Sequence, residues 1–364
     1  MSTGIAIAAV GALAVAVLAA TGRWRYALRP FAIGPARMTV ERLGLRVATP
    51  ETIERVNTVL SSFAGGFNAM MGAPSSTAWK HYCDSRPILY QPFAHEGVAM
   101  GYTVRHLFRF SPAEFEENLV RPRPEFRYLY YVGLGFWSGM CHHRPKRVMR
   151  VVAGLDPMHG YLVYDGYGFK SAFFDYPKKD AKALEHLSRL DGYARNAAYQ
   201  GVGRAFFFLY MDDADEMNRR LHGLGDYAAD AAAGVGLACV FVNPDRLEVA
   251  RAIAAALPTD LHDHVHLGMC FGLKARSINH AEQFELDMAQ LPRSVRDAVY
   301  ASVRECDRVE LLVRAERGSD GYEKWRSEVT GWMTRHVRYP LQGMMDPAAD
   351  QSAHEPTHML GGER

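Results

Sequence analysis

Net charge is almost absent from this sequence: 42 Lys and Arg face 40 Asp and Glu, leaving +2 over 364 residues. A protein that grips nucleic acid needs a concentrated basic surface, so that class of partner is disfavoured. Cysteine is scarce as well. Cys83, Cys141, Cys239, Cys270 and Cys306 are an odd number with no C-x-x-C pair. They speak against a disulfide framework or a structural zinc site and for a reducing compartment. No G-x-S-x-G or Walker phrase occurs. The one G-x-G, in YVGLGFWSG, sits inside an apolar helical run with no strand before it, so a nucleotide site has little to rest on. What is present is an ordinary folded balance, 48% apolar and 23% charged, and the length alone suggests about two domains.

Long apolar runs are rare, with one exception. Gly4 to Ala20 carries no charge, lacks a basic stretch before it, and is followed by Arg23, Arg25 and Arg29. It sits at the lower length limit for a bilayer span. The residues leave two readings open, a membrane anchor or a helix lying on the protein. For an anchor the basic residues would hold the rest of the chain in the cytoplasm, and the cytoplasm is the expected location in both readings.

The chain repeats itself. A ring side chain, any residue, Gly, any residue and a small residue recur in FAGGF (Phe63, Gly65), HEGVA (His95, Gly97), YVGLG (Tyr131, Gly133) and YDGYG (Tyr164, Gly166). The phrase continues in YQGVG (Tyr199, Gly201), AAGVG (Gly234) and HLGMC (His266, Gly268), with YASVR (Ser302) as a weaker eighth copy. The spacings run from 32 to 36 residues. Ten to fifteen residues after most of these glycines comes a helix-start phrase such as SPAEF, RPKRV, YPKKD, DDADE or NPDRLE, with Pro, Ser, Asp or Asn where a helix N-terminus needs them. Each unit therefore reads as a glycine-bearing inner helix, a turn and an amphipathic outer helix.

Glycine inside a helix costs about 1 kcal/mol relative to Ala, so such a row persists only where something offsets it. Backbones packed closely with no side chain between them would do so. The expected fold is all-α: tandem two-helix units of about 34 residues in a curved α/α array or a closed toroid. Met38–Ala48 alternates like a short strand and predicts a small β element capping it. The expected organisation is an apolar segment and basic linker over 1–37, one repeat domain over 38–340, and a disordered tail over 341–364.

The same phrases carry a resemblance. HEGVAMG, YYVGLGFW, LVYDGYGFKSAFF, QGVGRAFFF, GVGLA, GLKAR and YEKWR stand in the order found in the UnbL family of enediyne polyketide gene clusters, a domain family of unknown function. The likeness spans roughly residues 38 to 340. In the first motif His95 stands where that family has Tyr, and the histidines of LHDHVH have no counterpart. The resemblance implies natural-product biosynthesis beside a polyketide synthase that makes long conjugated polyenes. It brings no catalytic residues with it.

In a repeat, residues that break the pattern without helping packing are the functional candidates. The position before the first glycine is apolar in most copies but holds Glu96, Asp165 and Gln200 in three. Amid Tyr131, Tyr164, Tyr167 and Phe169 a carboxylic acid would be desolvated, its pKa raised, and suited to donate a proton. Asp230, one turn before Gly234, is a third acid. His95, Tyr199, Gln200 and Arg204 complete the expected lining. The competing reading has these acids paired with Arg204, Lys274 or Arg276 for structural reasons.

DDADE (Asp212, Asp213, Asp215, Glu216) looks like a magnesium–diphosphate box, yet its register marks it as the cap of an outer helix. Among His262, His264 and His266 only the first and last share a helical face, and His142 and His143 sit in a basic turn, so no metal or other cofactor is expected. The aromatic inner helices suit a deep apolar cavity for a long unsaturated chain. The expected function is a cofactor-independent cyclase or isomerase of a long polyene. Two alternatives stand beside it: a terpenoid cyclase started by protonation of an isoprenoid-like chain, and a non-catalytic repeat protein that binds the polyene or docks on the synthase.

Overall fold

A computed structural model describes residues 32–336 apart from 73–75, 107–108, 141–144, 317 and 319. The apolar run 4–20, the pair His142 and His143, and the tail 341–364 lie outside the described residues. The inner row of the fold is α1 (Pro50–Gly72), α2 (Gln91–Arg105), α3 (Arg127–Met140), α4 (Leu162–Lys170), α5 (Tyr193–Tyr210), α6 (Ala228–Val242) and α7 (His262–Asn279). Each packs chiefly on the inner helix before and after it, with shorter helices such as Ala214–His222 and Leu247–Ala256 on the outside. Two longer helices, α8 (Arg293–Glu316) and α9 (Gly321–His336), finish the chain. This is the all-α array that the repeat predicts.

Glycine is required in the row because the helices touch backbone to backbone. A Cβ placed on Gly97, Gly133, Gly166, Gly201, Gly234 or Gly268 would lie 1.7–2.1 Å from a carbonyl oxygen of the preceding inner helix. The second glycines, Gly66, Gly135, Gly168, Gly203 and Gly236, meet a carbonyl of the following helix just as closely, at 1.7–2.0 Å. Such contacts maximise dispersion between backbones and leave no room for a methyl group.

The contacts correct the register of the first copy. Gly66, not Gly65, packs on the next inner helix, through Ala94 O, while Gly97 meets Phe63 O. Ala64 therefore occupies the first small position, and Gly65 faces the Tyr82 ring. FAGGF offers two adjacent glycines, and only the contact distinguishes them. The eighth copy is looser: Ser302 Oγ donates to Ala298 O at 2.8 Å within α8, and α7 and α8 share no glycine contact of this kind.

The expected β element is absent, and no strand occurs among the described residues. Val40–Leu43 forms one helical turn, capped by Thr39, whose Oγ1 accepts from Arg42 N at 3.3 Å. Gly44 ends it in the left-handed conformation at φ 67°. Cap and stop signals prevail over alternation here because residues 45–48 have no strand to pair with. Two of their amides go instead to Leu209 O (from Arg46, 3.2 Å) and Asp212 Oδ2 (from Ala48, 2.6 Å), and the other two stay local.

The row curls until its beginning meets its end. Arg55 of α1 forks onto Asp245 at 2.6 and 2.9 Å. Arg276 of α7 reaches Leu89 O at 3.1 Å, and Asn279 reaches Glu125 O at 2.6 Å. Phe93 of α2 packs edge-on against Phe241 of α6, 5.4 Å between centroids. The stretch Gly225–Val242 is long and apolar enough to cross a membrane, but 61% of it is buried within this array, as befits a core helix.

Candidate functional site

The residue before each first glycine lies at the contact itself, so its side chain projects to the inside of the curl. Three of these positions are polar, and two of them meet. Gln200 Nε2 donates to Asp165 Oδ2 at 2.7 Å. Arg204, one turn further along α5, donates to Asp165 Oδ1 at 2.5 Å. Asp165 thus has both oxygens engaged as acceptors and anchors a guanidinium that is itself only 6% exposed. From α9, Arg326 donates through Nη1 to Gln200 Oε1 and through Nε to the Tyr193 hydroxyl at 2.9 Å. Its guanidinium lies 5.0 Å from the centre of the Phe271 ring.

Glu96 is the other acid of this group and is held differently. Its Oε1 lies 3.9 Å from Arg204 Nη2, an ion-pair distance without a hydrogen bond. Burial pushes its pKa up to about 7, against the lowering pull of Arg204 and with a smaller raising contribution from Asp165. A carboxyl group in that range is shared between acid and base at neutral pH.

Two cavities flank this network, and Arg204 lines both. The first has about 610 Å³ of empty space, and its polar wall holds Asp165, Gln200, Arg204, Lys274, Tyr322 and Arg326. The second, about 430 Å³, is almost wholly apolar, with the rings of Phe63, Phe93, Phe136, Phe169, Phe173 and Phe208 around Glu96. Arg204 stands 5.1 Å over the Phe169 ring between them.

Residues 23–332 of this chain match a family described as a protein of unknown function, DUF1702. The chain belongs to the DUF1702 family. No curated protein and no solved structure matches it.

In this DUF1702 chain the curl brings together Glu96, Asp165, Gln200, Arg204 and Phe169 of the expected site. Asp230 stands at the fringe: Asn196 Nδ2 donates to it at 2.8 Å, and burial raises its pKa against the pull of Arg326. The ring positions go elsewhere. His95 Nδ1 pairs with the Tyr130 hydroxyl at 2.9 Å while its ring stacks on Phe126, and burial holds its pKa well below the ordinary value. Tyr131 donates to Glu116 Oε1 at 2.7 Å. Tyr164 packs on Tyr161, Tyr167 on His186, and Tyr199 stacks on Tyr227 at 4.2 Å. For His95, Tyr131, Tyr164 and Tyr199 the reason is helical geometry: the ring stands one residue before the inward position, about 100° around the helix, and so faces the outer layer, while Tyr167 stands two residues past Asp165, about 200° around.

The residues of the remaining motifs lie in the same frame. Asp213 caps the helix Ala214–His222, accepting from Glu216 N at 3.1 Å, and Asp212 takes the Ala48 amide. Glu216 pairs with Arg219 and Arg220. His262 Nε2 lies 2.8 Å from Leu257 O, and the described residues contain no cluster of metal-binding side chains. Arg326, Tyr322 and Trp325 are the site residues that repeat reasoning missed. They lie in YEKWR on α9, beyond the last copy, and their signals were the density of aromatic and cationic residues in that phrase and its place among the ordered motifs of the resemblance.

Proposed function

We propose that this protein is an enzyme of natural-product biosynthesis, a cofactor-independent cyclase or isomerase of a long apolar polyene, with Glu96 as its acid. The resemblance of its ordered motifs to proteins of enediyne clusters supports the polyene, and a cytoplasmic location belongs to the same reading. The observation that carries the chemistry is a buried carboxyl group with a pKa of about 7 set among six phenylalanine rings. Asp165 is a weaker acid candidate, because both of its oxygens already accept hydrogen bonds from Gln200 and Arg204.

In the step we infer, Glu96 gives its proton to a terminal carbon of the conjugated chain. The chain becomes a delocalised cation and Glu96 a carboxylate. Ring faces carry negative electrostatic potential and stabilise that cation. An internal double bond then attacks it in a cyclase, or the π bonds shift in an isomerase. Loss of a proton from the chain to Glu96 restores the acid, so the product is an isomer of the substrate. Arg204, 3.9 Å from Glu96, stabilises the carboxylate while it exists. The same step started on an isoprenoid chain would be a protonation-initiated terpenoid cyclisation, which the six rings equally favour.

The test is co-expression with a polyene synthase, comparing wild type, Glu96→Gln and deletion of the whole protein. Glu96→Gln should leave the unreacted polyene in place of the isomerised product. Unchanged products on deletion would end the enzymatic reading, whereas lower yield of the same products would assign a carrier role.

A further inference from the structure

The first cavity has a charge imbalance that its own residues do not resolve. Three cations line it, Arg204, Lys274 and Arg326, and one carboxylate, Asp165. Asp165 is taken up by Arg204. Lys274 pairs with Asp307 of α8, whose side chain is 53% exposed and so screened by solvent. Arg326 makes no hydrogen bond or ion pair with a carboxylate among the described residues, and Asp230, at the fringe, acts on it only at longer range. Arg326 is 5% exposed, and its hydrogen-bond partners, Tyr193 and Gln200, are both neutral. Burying a guanidinium against neutral groups is costly unless a counter-charge arrives.

Two further donors in the same cavity point to that counter-charge. Arg204 Nε and the Tyr128 hydroxyl are buried without a hydrogen-bond partner, and both residues line the cavity. Buried polar atoms are nearly always satisfied, so orphaned donors in the same cavity as the Arg326 guanidinium indicate an absent acceptor. Apart from His159, Gln200 and Tyr322 the rest of the wall is apolar, including Leu129, Leu162, Phe271 and Trp325, which suits the neck of a hydrocarbon chain.

We infer that the first cavity is an anion site for the head of the substrate, a carboxylate or a phosphate held by Arg326 and Lys274 beside the Tyr128 hydroxyl. The hydrocarbon chain passes Arg204, the wall common to both cavities, and enters the aromatic chamber of Glu96. Asp165, pinned between Gln200 and Arg204, fixes that wall in place. This inference rests on the proposed apolar-chain substrate, and it adds what the head must be: the chain arrives as an acid or a phosphate ester, so the reaction that supplies it releases a free anionic terminus.

The experiment is equilibrium binding, with no turnover required. The probe is a conjugated tetraene fatty acid, whose fluorescence rises in an apolar site, compared with the corresponding alcohol; farnesyl diphosphate and farnesol serve as a second pair. One anionic probe should bind about tenfold or more tighter than its alcohol, and which one does so identifies carboxylate or phosphate. Arg326→Gln and, separately, Lys274→Met should each remove most of that preference and leave alcohol binding within about twofold. Thermal unfolding of both variants confirms that they are folded, and either suffices if the other is not. Equal binding of anion and alcohol, or a preference that survives both substitutions, overturns the anion site while leaving the Glu96 chemistry intact. A clear anion preference combined with unchanged products from Glu96→Gln would do the reverse. Failure of all four probes to bind overturns the inference outright.

Discussion

The carbonyl oxygen of Asp165 faces Gly201 so closely that a Cβ there would sit 1.8 Å away. The same residue points its carboxylate inward to Arg204 and Gln200. Backbone contact and site geometry are thus fixed by one residue. Glu96 and Gln200 repeat the arrangement, with their carbonyls against Gly133 and Gly234. The glycine row sets the height at which each polar side chain enters the interior, so the packing and the chemistry share a register.

That register predicts an asymmetry within one pair of adjacent glycines. Gly66→Ala would drive a methyl group to 2.0 Å from a backbone oxygen of α2, and neither partner can step aside. It should cost about 3 kcal/mol or more. Gly65→Ala meets the hydroxyl end of Tyr82, a side chain that can swing. Chemical denaturation of the two variants checks this, and equal losses would mean the contacts are assigned to the wrong glycine.

The Asp165–Arg204 pair is buried on both sides, with 1% and 7% of the side chains exposed. Removing either partner leaves an uncompensated charge in the interior. Asp165→Ala and Arg204→Met should each destabilise by about 3 to 5 kcal/mol. The double variant should lose less than the two single losses combined. A double-mutant cycle by urea unfolding measures the difference, and additivity would show that the pair is not coupled.

Glu96 carries a pH signature. Its folded pKa is about 7, raised from an ordinary 4.5, so between those values the folded state holds a proton that the unfolded chain has released. Its contribution to stability is complete below about pH 4.5 and fades as pH rises through 7, roughly 3 kcal/mol in all. The stability difference between wild type and Glu96→Gln should shift by about 2 to 3 kcal/mol towards the variant from pH 5 to pH 8. Parallel curves would place the pKa elsewhere. Turnover that needs the protonated acid should decline over the same upper range.

DDADE provides a negative control for diphosphate–metal chemistry. Asp213→Ala removes a helix cap and the contact with Arg46, and should cost about 1 kcal/mol. Millimolar magnesium should leave the melting temperature of wild type unchanged, alone or with pyrophosphate. A magnesium-dependent rise abolished by Asp213→Ala would reinstate a metal site.

Much of this was legible because the repeat makes exceptions visible. Glu96, Asp165 and Gln200 stood out only against apolar residues at the same position of other units, and Arg204 lay one helical turn from Gln200. The neighbouring ring residues misled for an equally physical reason. His95, Tyr131, Tyr164 and Tyr199 share the glycine motif but not its direction, since adjacent helical positions diverge by about 100°. Arg326 stood in the YEKWR phrase but was not singled out, because no period reaches α9 and its partners lie in α5. The strand expected near Met38 failed because alternation over a few residues says nothing of whether a partner strand exists.

The reach of α9 has a consequence for how the molecule comes into being. Neighbouring inner helices are joined across about 35 residues, so the stack can zip together locally as the chain lengthens. The bond from Arg326 to Gln200 spans 126 residues. In the order of synthesis, Asp165, Gln200 and Arg204 are all present once α5 has been made, while the guanidinium from α9 is among the last groups to emerge. A chain halted before Gly321 would lack that guanidinium and leave the interior unfinished.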